Sequence, residues 1–131
     1  MYLIDTSVII DILKGTVNAK TELYGRIVDN GISYGISVFT CFEVLQGIKE
    51  DKTFEEVKRA LATITHYHLK SSESYEAAAT AYRRCRRSGV TPRSAVDLLI
   101  AQTALENKLI LLHNDRDFDL MARCIEELVV A

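Results

Sequence analysis

Residues 94–105, SAVDLLIAQTAL, form the segment that most constrains this fold. Their apolar residues fall on every side of a helix, not on one stripe. Such a helix must be enclosed by other elements. A chain of 131 residues is long enough to enclose it within one domain, expected over 1–131. The same segment carries Asp97. A buried carboxylate needs a cation, a metal or several hydrogen-bond donors. Asp5 raises the same problem at the end of the apolar run Tyr2-Leu3-Ile4. Glu43 and Asp115 are two further acids expected at helix starts. Several carboxylates at the ends of buried elements point to one shared cation, and a hard divalent metal is the economical choice.

The pattern along the chain sets where these acids lie. Met1 to Ile4 reads as a short buried strand, followed by a helix over TSVIIDILKG. Residues 17–29 read as a second helix, closed by Asn30-Gly31. Ile32, Tyr34, Ile36 and Val38 alternate strictly, which argues for a strand over Ile32–Val38. Helices are expected over about Thr40–Lys49 and Thr53–Ala62, then a weaker strand around Ile64, Tyr67 and Leu69. Residues 72–88 read as a helix, Gly89–Pro92 as a turn and 94–107 as the buried helix. Leu109–Leu112 reads as a buried strand, Phe118–Arg123 as a short helix and Glu127–Val130 as a last strand. Strands alternating with helices imply an α/β fold with a central parallel sheet flanked by helices. Ligands of such sheets bind beyond the carboxyl ends of the strands. Asp5, Glu43 and Asp115 fall on that edge, and Asp97 joins them from its helix.

Each acid also has a purely structural explanation. Thr40 to Glu43 and Ser94 to Asp97 match the spacing of a capping box, and Asp5 and Asp115 suit plain N-caps. Capping accounts poorly for four acids gathered on one edge. It is also compatible with ligation, because a helix N-terminus favours the charged carboxylate. His66 and His68 read as surface or packing residues on a strand, and His113 as structural or substrate-facing. The three cysteines, Cys41, Cys85 and Cys124, match no zinc spacing and no disulfide framework, as expected of a reducing, cytoplasmic setting. Asp5 and Asp11 interrupt the apolar N-terminus, which has no basic flank, so neither a signal peptide nor a membrane span is expected. The net charge of −2 offers no general attraction to polyanions. All-oxygen ligation suits magnesium or manganese.

Four blocks, MYLIDTSVIIDILKG, ISVFTCFEVLQGI, SAVDLLIAQTAL and LILLHNDRDF, together resemble the signature blocks of the PIN-domain nucleases. Their order and spacing resemble the small bacterial VapC-type toxins of toxin–antitoxin pairs, across essentially the whole chain. The resemblance implies a PIN fold and an endoribonuclease dependent on Mg2+ or Mn2+. It puts the catalytic and metal-binding acids at Asp5, Glu43, Asp97 and Asp115, with Asp117 as a further, less regular metal acid. It puts a hydroxyl at Thr6, expected to hold a water of the site or a phosphate oxygen. It also implies an RNA substrate, a cognate antitoxin laid across the acidic groove and a homodimer.

An acidic site that receives RNA needs a basic rim. RRCRRSGVTPR (83–93) carries Arg83, Arg84, Arg86, Arg87 and Arg93 and no acid. A solvated helix face explains any one of them, but the cluster favours contact with the RNA backbone. Two other readings remain open from the residues: a PIN nuclease of RNA maturation or decay outside a toxin system, and a phospho-receiver signalling module. The second fits poorly, because its middle acid would end a strand, and Glu43 does not.

Overall fold

A computed structural model describes all 131 residues. The elements run β1 (Tyr2–Ile4), α1 (Thr6–Leu13), α2 (Ala19–Asp29), β2 (Tyr34–Ser37), α3 (Val38–Gln46) and α4 (Asp51–Ala62). They continue with β3 (Thr65–Tyr67), α5 (Ser72–Arg87), α6 (Ala95–Glu106), β4 (Ile110–Leu112) and α7 (Arg116–Cys124). The strands form one sheet in the order β3-β2-β1-β4, and every pairing is parallel. From β1 the chain moves outward to β2 and β3, then returns to β1's other side with β4. The boundary between β1 and β4 is therefore the point where the winding reverses, the usual crevice for a ligand in an open α/β sheet.

Alternation along β1 and β4 divides the core. Leu3 and Leu111 pack on one face with α5, α6 and α7, around Leu98, Ile100, Phe118 and Met121. Ile4 and Leu112 pack on the other with α1 to α4, around Val8, Ile27, Ile36 and Leu61. Both faces are covered, as a parallel sheet requires. Helix α6 is enclosed as its composition demands: every residue from Val96 to Asn107 is buried or half-buried.

Several expected boundaries shift for local reasons. The strand read over Ile32–Val38 contracts to β2, because Ser37 both ends the strand and caps α3, accepting the Phe39 N–H at 3.1 Å. Helix α3 therefore starts at Val38, before Thr40. The last strand contracts to a single parallel bridge between Val130 and Leu111. Helix α7 begins two residues before Phe118, capped by Asp115. Gly35 in β2 is required by close approach, since a Cβ there would stand 2.5 Å from both the Thr65 carbonyl and the Tyr67 ring. No helix is long and apolar enough to cross a membrane.

Candidate active site

The ends of β1 and β4 build the centre of the site. Asp5 extends the ladder by one residue, its N–H donating to the Leu112 carbonyl at 2.9 Å. It then turns the chain into α1 as N-cap, with Oδ2 accepting from Ser7 N (3.0 Å) and Ser7 Oγ (2.6 Å). Ser7 Oγ in turn accepts the Asn114 N–H at 2.9 Å, which ties the loop after β4 to the start of α1. Asp5 is 3% exposed, and its Oδ1 is buried without any protein donor. Burial pushes its carboxyl above the ordinary range, with Glu43 adding to the rise and the Ser7 bonds working against it.

Glu43 approaches from α3. It lies in the second turn of that helix rather than at its start, so the capping box expected at Thr40 does not form. Thr6 Oγ1 donates to Glu43 Oε1 at 2.6 Å and lies 3.1 Å from Thr40 Oγ1. The Thr6 hydroxyl hydrogen thus aims Glu43, and its oxygen keeps acceptor capacity for a water of the site. The Ser94–Asp97 capping box is also absent, since Ser94 makes no side-chain cap bond. Asp97 instead faces the other acids from the first turn of α6. Its carboxyl is pushed up to about 7 by burial, then by the charges of Asp5, Asp115, Glu43 and Asp117. One side chain therefore feels four other carboxylates, as sequence-distant acids at one sheet edge should.

Asp115 caps α7, its Oδ1 accepting the Asp117 N–H at 3.0 Å. The loop leading to it is held by His113, which is 1% exposed and whose Nδ1 accepts the Asp115 N–H at 3.2 Å. Burial lowers the His113 pKa, against the opposite pull of Asp119, whose Oδ1 lies 3.3 Å from Nε2. Asp117 is buried except for its edge. Burial would raise its pKa, but the Arg93 backbone and guanidinium hydrogen bonds outweigh that and hold it low.

The arginines separate into three environments. Arg93, expected on the basic rim, reaches the acids from there: its N and Nε both donate to Asp117 Oδ2 (3.1 Å each) and its Nη2 to Asp115 Oδ1 (3.2 Å). Arg84 is tied to the chain's end through the Cys124 carbonyl (3.1 Å) and Glu127 (3.5 Å). Arg83, Arg86 and Arg87 line one exposed recess on α5 together. Ser7 is a positioning residue that the sequence did not single out, and Thr40, expected there only as a capping residue, is another. The only signals were the Thr6-Ser7 pair directly after Asp5 and Thr40 three residues before Glu43.

The donor chemistry suits a hard divalent ion. The converging groups are carboxylates, and Asp5 Oδ1 is an orphaned buried oxygen of the kind a cation satisfies. As the side chains stand, no three of the acids clasp a single point. Ligation of one ion by three of them would therefore require side-chain rotation.

A PIN-domain family profile matches residues 2–123. Ribonuclease VapC11 of Mycobacterium tuberculosis is 31% identical over 124 residues, covering 94% of this chain and 92% of that protein. Among solved structures, VapBC2 from Rickettsia felis bound to a promoter DNA fragment matches with a TM-score of 0.78 at 16% identity, covering 99% of this chain and 96% of that one. VapBC-1 from nontypeable Haemophilus influenzae matches with a TM-score of 0.70 at 20% identity, covering the same shares.

Proposed function

This chain belongs to the PIN-domain family, and from that premise we propose that it is an endoribonuclease of the VapC kind, the toxin of a toxin–antitoxin pair, acting with Mg2+ or Mn2+. The observation that carries the reading is the buried Asp5 with its orphaned oxygen, set where the sheet reverses and felt by Asp97 together with the other acids. The relative at 31% identity is a ribonuclease, and the fold matches chains from toxin–antitoxin complexes.

In this reading Asp5 and Asp97 hold the principal ion, and Glu43, aimed by Thr6, completes the acidic wall. An ion bound by these residues would neutralise charge at the phosphate and activate water for in-line attack. Asp97, whose pKa lies near 7, releases its proton to take up that role. Asp115 orients the attacking water, fixed in place by α7 and His113. RNA is the substrate, a cognate antitoxin the protein partner, the working form a homodimer and the setting cytoplasmic. Expression of the chain alone should arrest growth, and the purified protein should cut RNA with Mg2+ or Mn2+ and stop with EDTA. Cleavage that continues at the same rate in EDTA would overturn the metal-dependent reading.

The recess formed by Arg83, Arg86 and Arg87 is the proposed RNA backbone contact. Replacing Arg83 and Arg87 with alanine should weaken RNA binding and flatten its salt dependence. The log–log slope should fall by about 0.7 for each lost contact to a single strand. Fluorescence anisotropy across a salt series reads this directly, and an unchanged slope would assign the patch to another surface.

A further inference from the structure

Arg93 is 76% exposed, yet three of its donors converge on two acids of the site. A solvated arginine loses side-chain freedom by such fixation and gains little from one surface pair. Here the fixation is reinforced from the backbone. The Arg93 N–H and Nε both meet Asp117 Oδ2, so the main chain itself is registered on that carboxylate. The same guanidinium reaches Asp115 Oδ1, whose oxygen also accepts the Asp117 N–H. Asp117 is thereby satisfied by protein donors, whereas Asp5 keeps a buried oxygen without one.

The two ends of the acid cluster are therefore unequal. Asp5, Glu43 and Asp97 have no basic side chain among their hydrogen-bond or ion-pair partners. Asp115 and Asp117 lie against a guanidinium. We propose that Arg93 is a built-in counter-ion that takes the place of a second divalent cation at Asp115 and Asp117, so that this chain loads one metal ion, at the Asp5–Asp97 side. The inference rests on the metal-dependent reading above and adds to it a stoichiometry and a residue that sets it. Arg93 is a positioning residue in this scheme: it holds Asp115 and Asp117 in place without touching the reacting phosphate.

The test is Mn2+ binding to the full chain, free of antitoxin, followed by electron paramagnetic resonance of the unbound ion. The parent should take up one ion per chain. Arg93→Gln should take up two, and its first ion should bind about ten-fold more tightly, as expected when one positive charge leaves the neighbourhood of a divalent cation. Arg93→Lys, which keeps the charge and loses the planar fork, should stay at one. Arg59→Gln removes the same charge from the exposed face of α4 and should leave both quantities unchanged. Two ions in the parent, or equal tightening by Arg59→Gln, would overturn the inference while leaving the nuclease reading in place. No Mn2+ uptake by any variant would remove the metal-dependent reading together with it. Thermal melts by circular dichroism identify any variant that has lost its fold.

Discussion

Asp97→Asn is expected to lose about a thousand-fold in RNA cleavage, ~4 kcal/mol of transition-state stabilisation, while the metal-free protein becomes more stable. The two halves of this result share one cause. The Asp97 carboxyl ordinarily ionises near 3.8 and is pushed to about 7 in the folded chain, first by burial and then by the surrounding acids. Below 3.8 folded and unfolded chains both hold the proton, and the group contributes nothing. Between 3.8 and about 7 only the folded chain holds it, so stability falls as pH rises through that window. Above 7 the whole penalty is present. Discounted for the partial exposure of Asp97, it is on the order of 2 kcal/mol. Asparagine carries no such penalty. The variant should melt about 6–10 °C above the parent at pH 8 without metal, and level with it at pH 4. A variant that melts below the parent at pH 8 would make Asp97 a structural cap and remove it from the catalytic set.

Gly35→Ala should be strongly destabilising, because Gly35 is the one glycine where an added methyl meets neighbours closer than 3.0 Å. The new Cβ would stand 2.5 Å from the Thr65 carbonyl and from the Tyr67 ring, both on the neighbouring strand β3. A ring can turn, but the carbonyl belongs to the ladder that pairs β2 with β3. The expected loss is about 2–3 kcal/mol, or roughly 10 °C in melting temperature. Gly25→Ala makes the contrasting case. Gly25 lies inside α2 with nothing within 4 Å of a new Cβ. Alanine there should stabilise by about 0.5–1 kcal/mol through helix propensity. Chemical denaturation of both variants checks the pair, and a benign Gly35→Ala would show that β3 yields as a unit.

The residues differ in how plainly they announced their places. Asp5 and Asp97 were legible because each interrupts a strongly apolar run, and a buried charge in such a run requires a reason. Asp115 was legible because it follows a buried strand in a parallel arrangement. Glu43 was assigned to the right edge for the wrong local reason. Thr40 and Glu43 have capping-box spacing, but Ser37 already ends β2 and caps α3, so Thr40 is left inside the helix. One residue serving two elements leaves no gap in the hydrophobic alternation for a reader to find. Arg93 illustrates a harder limit. Its partner Asp117 lies 24 residues away, and a positive charge in a basic run gives no sign of whether it faces solvent or an acid. Ser7 was hidden for the same reason, since its bond to Asn114 spans 107 residues.

That span has a bearing on how the protein comes into being. The bond joins the first helix to the loop after the last full strand, and β1 pairs with β4 across nearly the whole chain. Pairings of such long sequence separation form slowly, because the entropy of closing the intervening chain must be met first. During synthesis the N-terminal half emerges with Asp5 and Glu43 but without the strand that completes their crevice. The site proposed for RNA cleavage is thus incomplete in the nascent chain until α7 has been made and β4 has docked beside β1.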